Sequence, residues 1–175
     1  MKLYLLLLHT GTGASRFVRF FTRFPYSHVA VSTDGCRTLC SFGRKRVNAF
    51  WDGGYTEEAY NGPFFSRYRN TLCRIYETEL TEEQAALVQD FLRICRGQKY
   101  DFLGCIPRYM GISCRASGRS VCSIFTADLL NTLGIFPPDK SVTLARPRDF
   151  YDLPDFTPVF IGSYADYCAR FEEHT

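Results

Sequence analysis

Residues 120–130 read Ser-Val-Cys-Ser-Ile-Phe-Thr-Ala-Asp-Leu-Leu, and residues 26–32 read Tyr-Ser-His-Val-Ala-Val-Ser. The first stretch puts a thiol, Cys122, at the opening of a helical pattern, with Ser120 as its expected N-cap and Gly134 as its stop. The second puts an imidazole, His28, at the mouth of an alternating, strand-like run. A thiol at a helix N-terminus meets exposed N–H groups and the positive end of the dipole, which favours its thiolate. An imidazole at a strand mouth takes or holds the proton, so the pair is the minimal machinery of a cysteine nucleophile. Each residue also has an ordinary structural role. Cys122, Phe125 and Leu129 follow core spacing, and many strand-end histidines only satisfy a local hydrogen bond.

Outward from these stretches, residues 2–9 predict a buried strand and residues 14–23 a short helix. The apolar face of that helix is expected to hold Phe17, Phe20 and Phe21, with Arg16, Arg19 and Arg23 elsewhere on its surface. Those arginines could meet an anionic substrate or a lipid headgroup; a solvated face is the plainer expectation. Residues 28–32 and 38–42 predict a hairpin turning at Thr33-Asp34-Gly35, and residues 43–62 a long loop. Residues 72–78 predict another strand. Thr81-Glu82-Glu83-Gln84 is a capping box opening a helix with the stripe Leu87, Val88, Phe91, Leu92 and Cys95, ended by Gly97. Residues 98–119 predict irregular structure, and weak strand signals follow near 157–162.

The 175 residues predict a single domain spanning 1–175, long enough to bury a core. A net charge of +3 is too mild to imply nucleic acid. The apolar run at 3–8 is short and lacks a following small-residue cleavage site, so it predicts a strand rather than a signal peptide. No run approaches the roughly 20 apolar residues of a membrane span. The eight cysteines are scattered, without a Cys-x-x-Cys pair, and there are three histidines. The expectation is reduced thiols in a cytoplasmic protein, with structural zinc as the weaker alternative and no cofactor required.

The order of the motifs resembles the circularly permuted branch of the NlpC-type, papain-like cysteine peptidases, which includes YiiX-like and lecithin retinol acyltransferase-like proteins. That branch places a "SHVAV"-type His strand first and a "CS-x-F-x-A-x-x-L" helix about a hundred residues later. Ser27-His28-Val29-Ala30-Val31 and Cys122-Ser123-Ile124-Phe125-Thr126-Ala127-Asp128-Leu129 match in that order. Tyr100-Asp101-Phe102-Leu103-Gly104 is similar to the segment leading to the helix. Cys40-Ser41-Phe42-Gly43-Arg44-Lys45 and Gly53-Gly54-Tyr55 resemble "YSFGRK" and "GGF" segments of bacterial members.

The resemblance implies an α+β, permuted papain-like fold, an antiparallel sheet packed against helices. It implies a thiol hydrolase or acyltransferase in which Cys122 attacks a carbonyl and His28 serves as base, then acid. The branch usually orients its histidine with a polar residue on the next strand. If the hairpin turns near Asp34-Gly35, Ser41 is the natural candidate, with His9 and Glu57 as alternatives. Tyr26, Tyr100 and Arg44, the last in a basic cluster with Lys45 and Arg46, are candidate substrate contacts; packing or a solvated loop is the ordinary role of each. The expected substrate is a peptide, another amide or an acyl compound. A lipid-directed acyltransferase or thioesterase at a membrane surface and a non-catalytic binding module are the alternatives.

Overall fold

The computed structural model describes residues 1–44, 52–101, 104, 111–113 and 117–171. The strands are β1 (Lys2–His9), β2 (His28–Ser32), β3 (Thr38–Arg44), β4 (Gly53–Ala59), β5 (Leu72–Glu79), β6 (Lys99–Tyr100), β7 (Arg119–Ser120) and β8 (Thr157–Ser163). The α-helices are α1 (Gly13–Thr22), α2 (Pro63–Arg67), α3 (Glu82–Cys95), α4 (Cys122–Thr132) and α5 (Tyr164–Ala169). This is an α+β fold. The strands form one sheet in the order β7-β6-β4-β3-β2-β1-β5-β8, antiparallel apart from the short β6–β7 pair.

β1 lies between β2 and β5 and explains why the sheet carries two cores. Its run of leucines alternates across the pleat. Leu3, Leu5 and Leu7 join Val29, Val31, Cys40 and Phe42 under α3 and α4. Leu6 and Leu8 join Ala30, Leu39, Cys73 and Ile75 with Phe65 of α2 and Tyr164, Tyr167 and Cys168 of α5. Both sets are shielded from water, so β1 reads as a continuous apolar strand rather than an alternating one. The Tyr164 hydroxyl donates to the Cys36 carbonyl at 2.6 Å, tying α5 to the β2–β3 turn.

Helix α3 starts as its capping box dictates: Thr81 Oγ1 accepts from Gln84 N at 3.1 Å and Gln84 Oε1 accepts from Thr81 N at 3.1 Å. Gly97, at φ 85°, follows its end in the left-handed region. Val88, Leu92 and Cys95 are buried as the stripe predicts, but Leu87 is exposed because the covered arc is narrower than the apolar one.

Several expectations are corrected. The predicted loop at 43–62 contains β4, which pairs with β3 from Thr38↔Ala59 to Arg44↔Gly53. Its sequence, Gly-Gly-Tyr-Thr-Glu-Glu-Ala, is poor in strand formers, and pairing with two neighbours overrides that propensity. The N-cap of α4 is Val121, not Ser120, which pairs in β7 instead. Within 98–119, β6 and β7 are short strands. Phe20 is 79% exposed and does not belong to the buried face of α1.

Candidate functional site

Two hydrogen bonds define the chemistry of His28. Ser41 Oγ donates to the Val29 carbonyl at 2.7 Å and lies 3.0 Å from His28 Nε2. A hydroxyl has one hydrogen, and the carbonyl takes it. Ser41 therefore accepts from His28, which places the ring proton on Nε2 and leaves Nδ1 with a lone pair. Burial pushes the His28 pKa down to about 4, so the ring is neutral near pH 7. A neutral imidazole with one nitrogen committed and a lone pair on the other can accept a proton, and the depressed pKa makes it a weak base at neutral pH.

Cys122 opens α4 and is 7% exposed. Val121, at the cap, offers no side-chain acceptor to the first-turn N–H groups. The helix lies over β2 and β3. Phe125, one turn in, stacks on Phe42 at 5.4 Å and Tyr55 at 5.8 Å. The ladder register, Val31↔Cys40, makes Phe42 level with Val29. Helix α4 therefore begins over the end of the sheet at which β2 begins with His28. The two residues share that end but differ in face. His28 pairs with Leu8 and has the parity of Ala30, whose core lies under α2 and α5, whereas Val29 and Val31 face α4.

The other sequence candidates separate clearly. Glu57 lies opposite Cys40, accepts from the Tyr55 hydroxyl and pairs with Arg96 at 3.0 Å, away from His28. His9 is buried, with Nδ1 2.7 Å from Ser15 Oγ, and Ser15 Oγ is 2.6 Å from Ser27 Oγ. This chain joins β1, α1 and the residue before His28. Ser15 carried no motif that would have singled it out, and Ser27 stood only as the first residue of the SHVAV-type stretch, with no role of its own. Tyr26 stacks edge-on against Phe24 at 5.8 Å, and burial raises its hydroxyl pKa. Tyr100 pairs with Ser120 and packs against the α3–α4 core. Arg44 ends β3 opposite Gly53; its side chain, Lys45 and Arg46 lie outside what the structure describes.

Burial pushes Cys73 up to about 12 and Cys95 up to about 11, and raises Cys36 and Cys40, which makes all four poor nucleophiles at neutral pH. Cys105 and Cys114 lie outside the described residues. Among the described residues, no group of three or more His, Cys, Asp or Glu side chains is arranged to hold a metal.

No known protein family and no curated protein matches the chain. Among solved structures, it is similar to the crystal structure of the metalloprotein YiiX from Escherichia coli O157:H7, of the DUF1105 group. The TM-score is 0.59 at 14% identity, over 90% of this chain and 95% of that one. At that identity the likeness is one of fold.

Proposed function

We propose that this chain is a thiol hydrolase or acyl-transfer enzyme on a permuted papain-like fold, with Cys122 as nucleophile and His28 as base. The observation that carries the reading is the Val29–Ser41–His28 hydrogen-bond chain, which leaves Nδ1 basic at the sheet end where α4 begins with Cys122. The likeness in fold to YiiX is consistent with it. YiiX is described as a metalloprotein; among the described residues here, no group of three or more His, Cys, Asp or Glu side chains is arranged to hold a metal.

In the proposed reaction, the Cys122 sulfur bonds to a substrate carbonyl carbon and its proton passes to His28 Nδ1. N–H groups of the first turn of α4 stabilise the oxyanion. Collapse breaks the bond to the leaving amine or alcohol, which takes the proton from His28. Water, or an acceptor amine, then adds to the thioester and releases the thiol. An amide is the favoured bond and an acyl ester the second. The mechanism requires Nδ1 to reach the thiol around the first residue of β2, since the reacting pair must come within hydrogen-bond reach.

One observation favours a second reading. His28 has the parity of the core opposite α4, as expected if the fold serves as a non-catalytic binding module. Iodoacetamide labelling near pH 6, read by peptide mass spectrometry, separates the two. An enzyme labels at Cys122 about tenfold or more faster than at its buried thiols, and His28→Ala removes most of that advantage. Labelling of Cys122 at the rate of Cys73 and Cys95, unchanged in His28→Ala, would discard the catalytic reading.

A further inference from the structure

Helix α1 has an arrangement that interior packing does not explain. Arg16 and Arg19 are exposed, and Phe20 stands beside them, 79% exposed, one turn beyond Arg16. The three residues line a shallow open recess. Arg23 follows at the C-cap in a left-handed conformation, φ 49°, and is exposed as well. The first turn carries no acid, and no ion pair among the described residues involves Arg16, Arg19 or Arg23. The charges of Arg19 and Arg16 are felt at His9, where they add to burial in lowering its pKa.

The apolar exposure continues onto the sheet beside the helix. His9 is held to α1 through Ser15, and its ladder partner, Leu72, is 50% exposed. Ile161 of the edge strand β8 lies opposite Arg74 and is 61% exposed. Directly opposed residues point to one face, so His9, Leu72 and Ile161 share the face against which Ser15 of α1 is bonded. A solvated cationic helix needs no exposed Phe, and an apolar protein contact would not favour uncompensated arginines. The two together suit the boundary of an anionic bilayer, where guanidiniums meet headgroup phosphates and an aromatic ring enters the acyl region.

We infer that α1 is a membrane-docking surface for anionic lipid, in which Arg16, Arg19 and Arg23 contact headgroups and Phe20 inserts, with Leu72 and Ile161 at its fringe. The inference goes beyond the thiol chemistry and does not depend on it. Docking here brings the His28 end of the sheet to the bilayer, because Ser15 also binds Ser27, the residue before His28.

Flotation of the full chain with vesicles tests this, comparing phosphatidylcholine alone with a phosphatidylcholine–phosphatidylglycerol mixture at low and physiological salt. Binding to the anionic vesicles is expected, weaker as salt rises. Arg16→Ala/Arg19→Ala is expected to lower the partition coefficient roughly thirtyfold, about fivefold per arginine. Phe20→Ser should lower it about tenfold or more. Each variant is checked for an unchanged circular dichroism spectrum and urea midpoint. Should either fail to fold, Phe20→Trp in a Trp51→Phe background reports insertion as a blue shift on adding anionic vesicles. Absence of flotation or of the blue shift overturns the inference, as does equal binding to uncharged vesicles or binding that survives the arginine pair variant. Binding of a single-stranded oligonucleotide that depends on the arginines but not on Phe20 overturns the lipid assignment in favour of a polyanion.

Discussion

At the scale of residues, His28 couples the site to the stability of the fold. Its pKa falls from an ordinary value near 6.5 to about 4 because burial disfavours the imidazolium. Between these values the unfolded chain binds a proton that the folded chain does not, so stability falls as pH drops through this window. The shift corresponds to roughly 3 kcal/mol lost on going from pH 7 to pH 4. Gln at position 28 keeps a donor for Ser41 and does not titrate. His28→Gln should therefore flatten the pH dependence of urea unfolding over that window. A slope equal to that of the parent would assign acid sensitivity to other groups. His9, whose pKa is lowered by burial and by Arg19 and Arg16, contributes in the same direction in both proteins and cancels in the comparison.

Among the elements, α3 shows how a local signal becomes a tertiary one. Its capping box satisfies two orphan donors, so Thr81→Ala should cost about 1 kcal/mol. Gln84 does more: its Nε2 also donates to the Leu133 carbonyl at 3.1 Å, joining the start of α3 to the end of α4. Gln84→Ala removes the acceptor for Thr81 N and leaves the Leu133 carbonyl without its donor, while the Thr81 cap on the residue-84 N–H persists; it should cost more than Thr81→Ala in the same urea titration. Equal losses would mean that the link to α4 contributes nothing measurable. Helix α4 differs, because contacts rather than caps set its packing: Phe125 meets Phe42, Tyr55 and Phe91, so its position is set by the sheet and α3 together.

For the whole molecule, the central strand is the point of greatest vulnerability. Leu5 faces the core under α3 and α4, Leu6 faces the core under α2 and α5, and both are fully buried. Leu5→Ala and Leu6→Ala should each lower stability by about 2–5 kcal/mol, seen as a shift in urea midpoint at unchanged slope. A negligible loss from Leu6→Ala alone would show that the α2–α5 layer packs loosely on the sheet. Among the described residues, no helix is long and apolar enough to cross a membrane.

Local pattern alone placed β1, β2, α3, α4, β5 and β8 to within a few residues, because hydrophobic period, Asp-Gly turns and capping boxes are short-range signals. The turn at Asp34-Gly35 also sets Ser41 near His28 from sequence alone, since a hairpin turn fixes which residues lie nearly level. The remaining features depend on partners distant in the chain. β4 exists because β3 and β6 flank it, not because Gly-Gly-Tyr-Thr-Glu-Glu-Ala favours a strand. Ser120 left the helix cap for a bridge to Tyr100, and Phe20 was left outside the core that its spacing predicted. The face on which His28 lies, and the carbonyl that takes the Ser41 proton and so decides which imidazole nitrogen is basic, are set by strand pairing and layer packing. Those are non-local energies, and only the tertiary structure decides them.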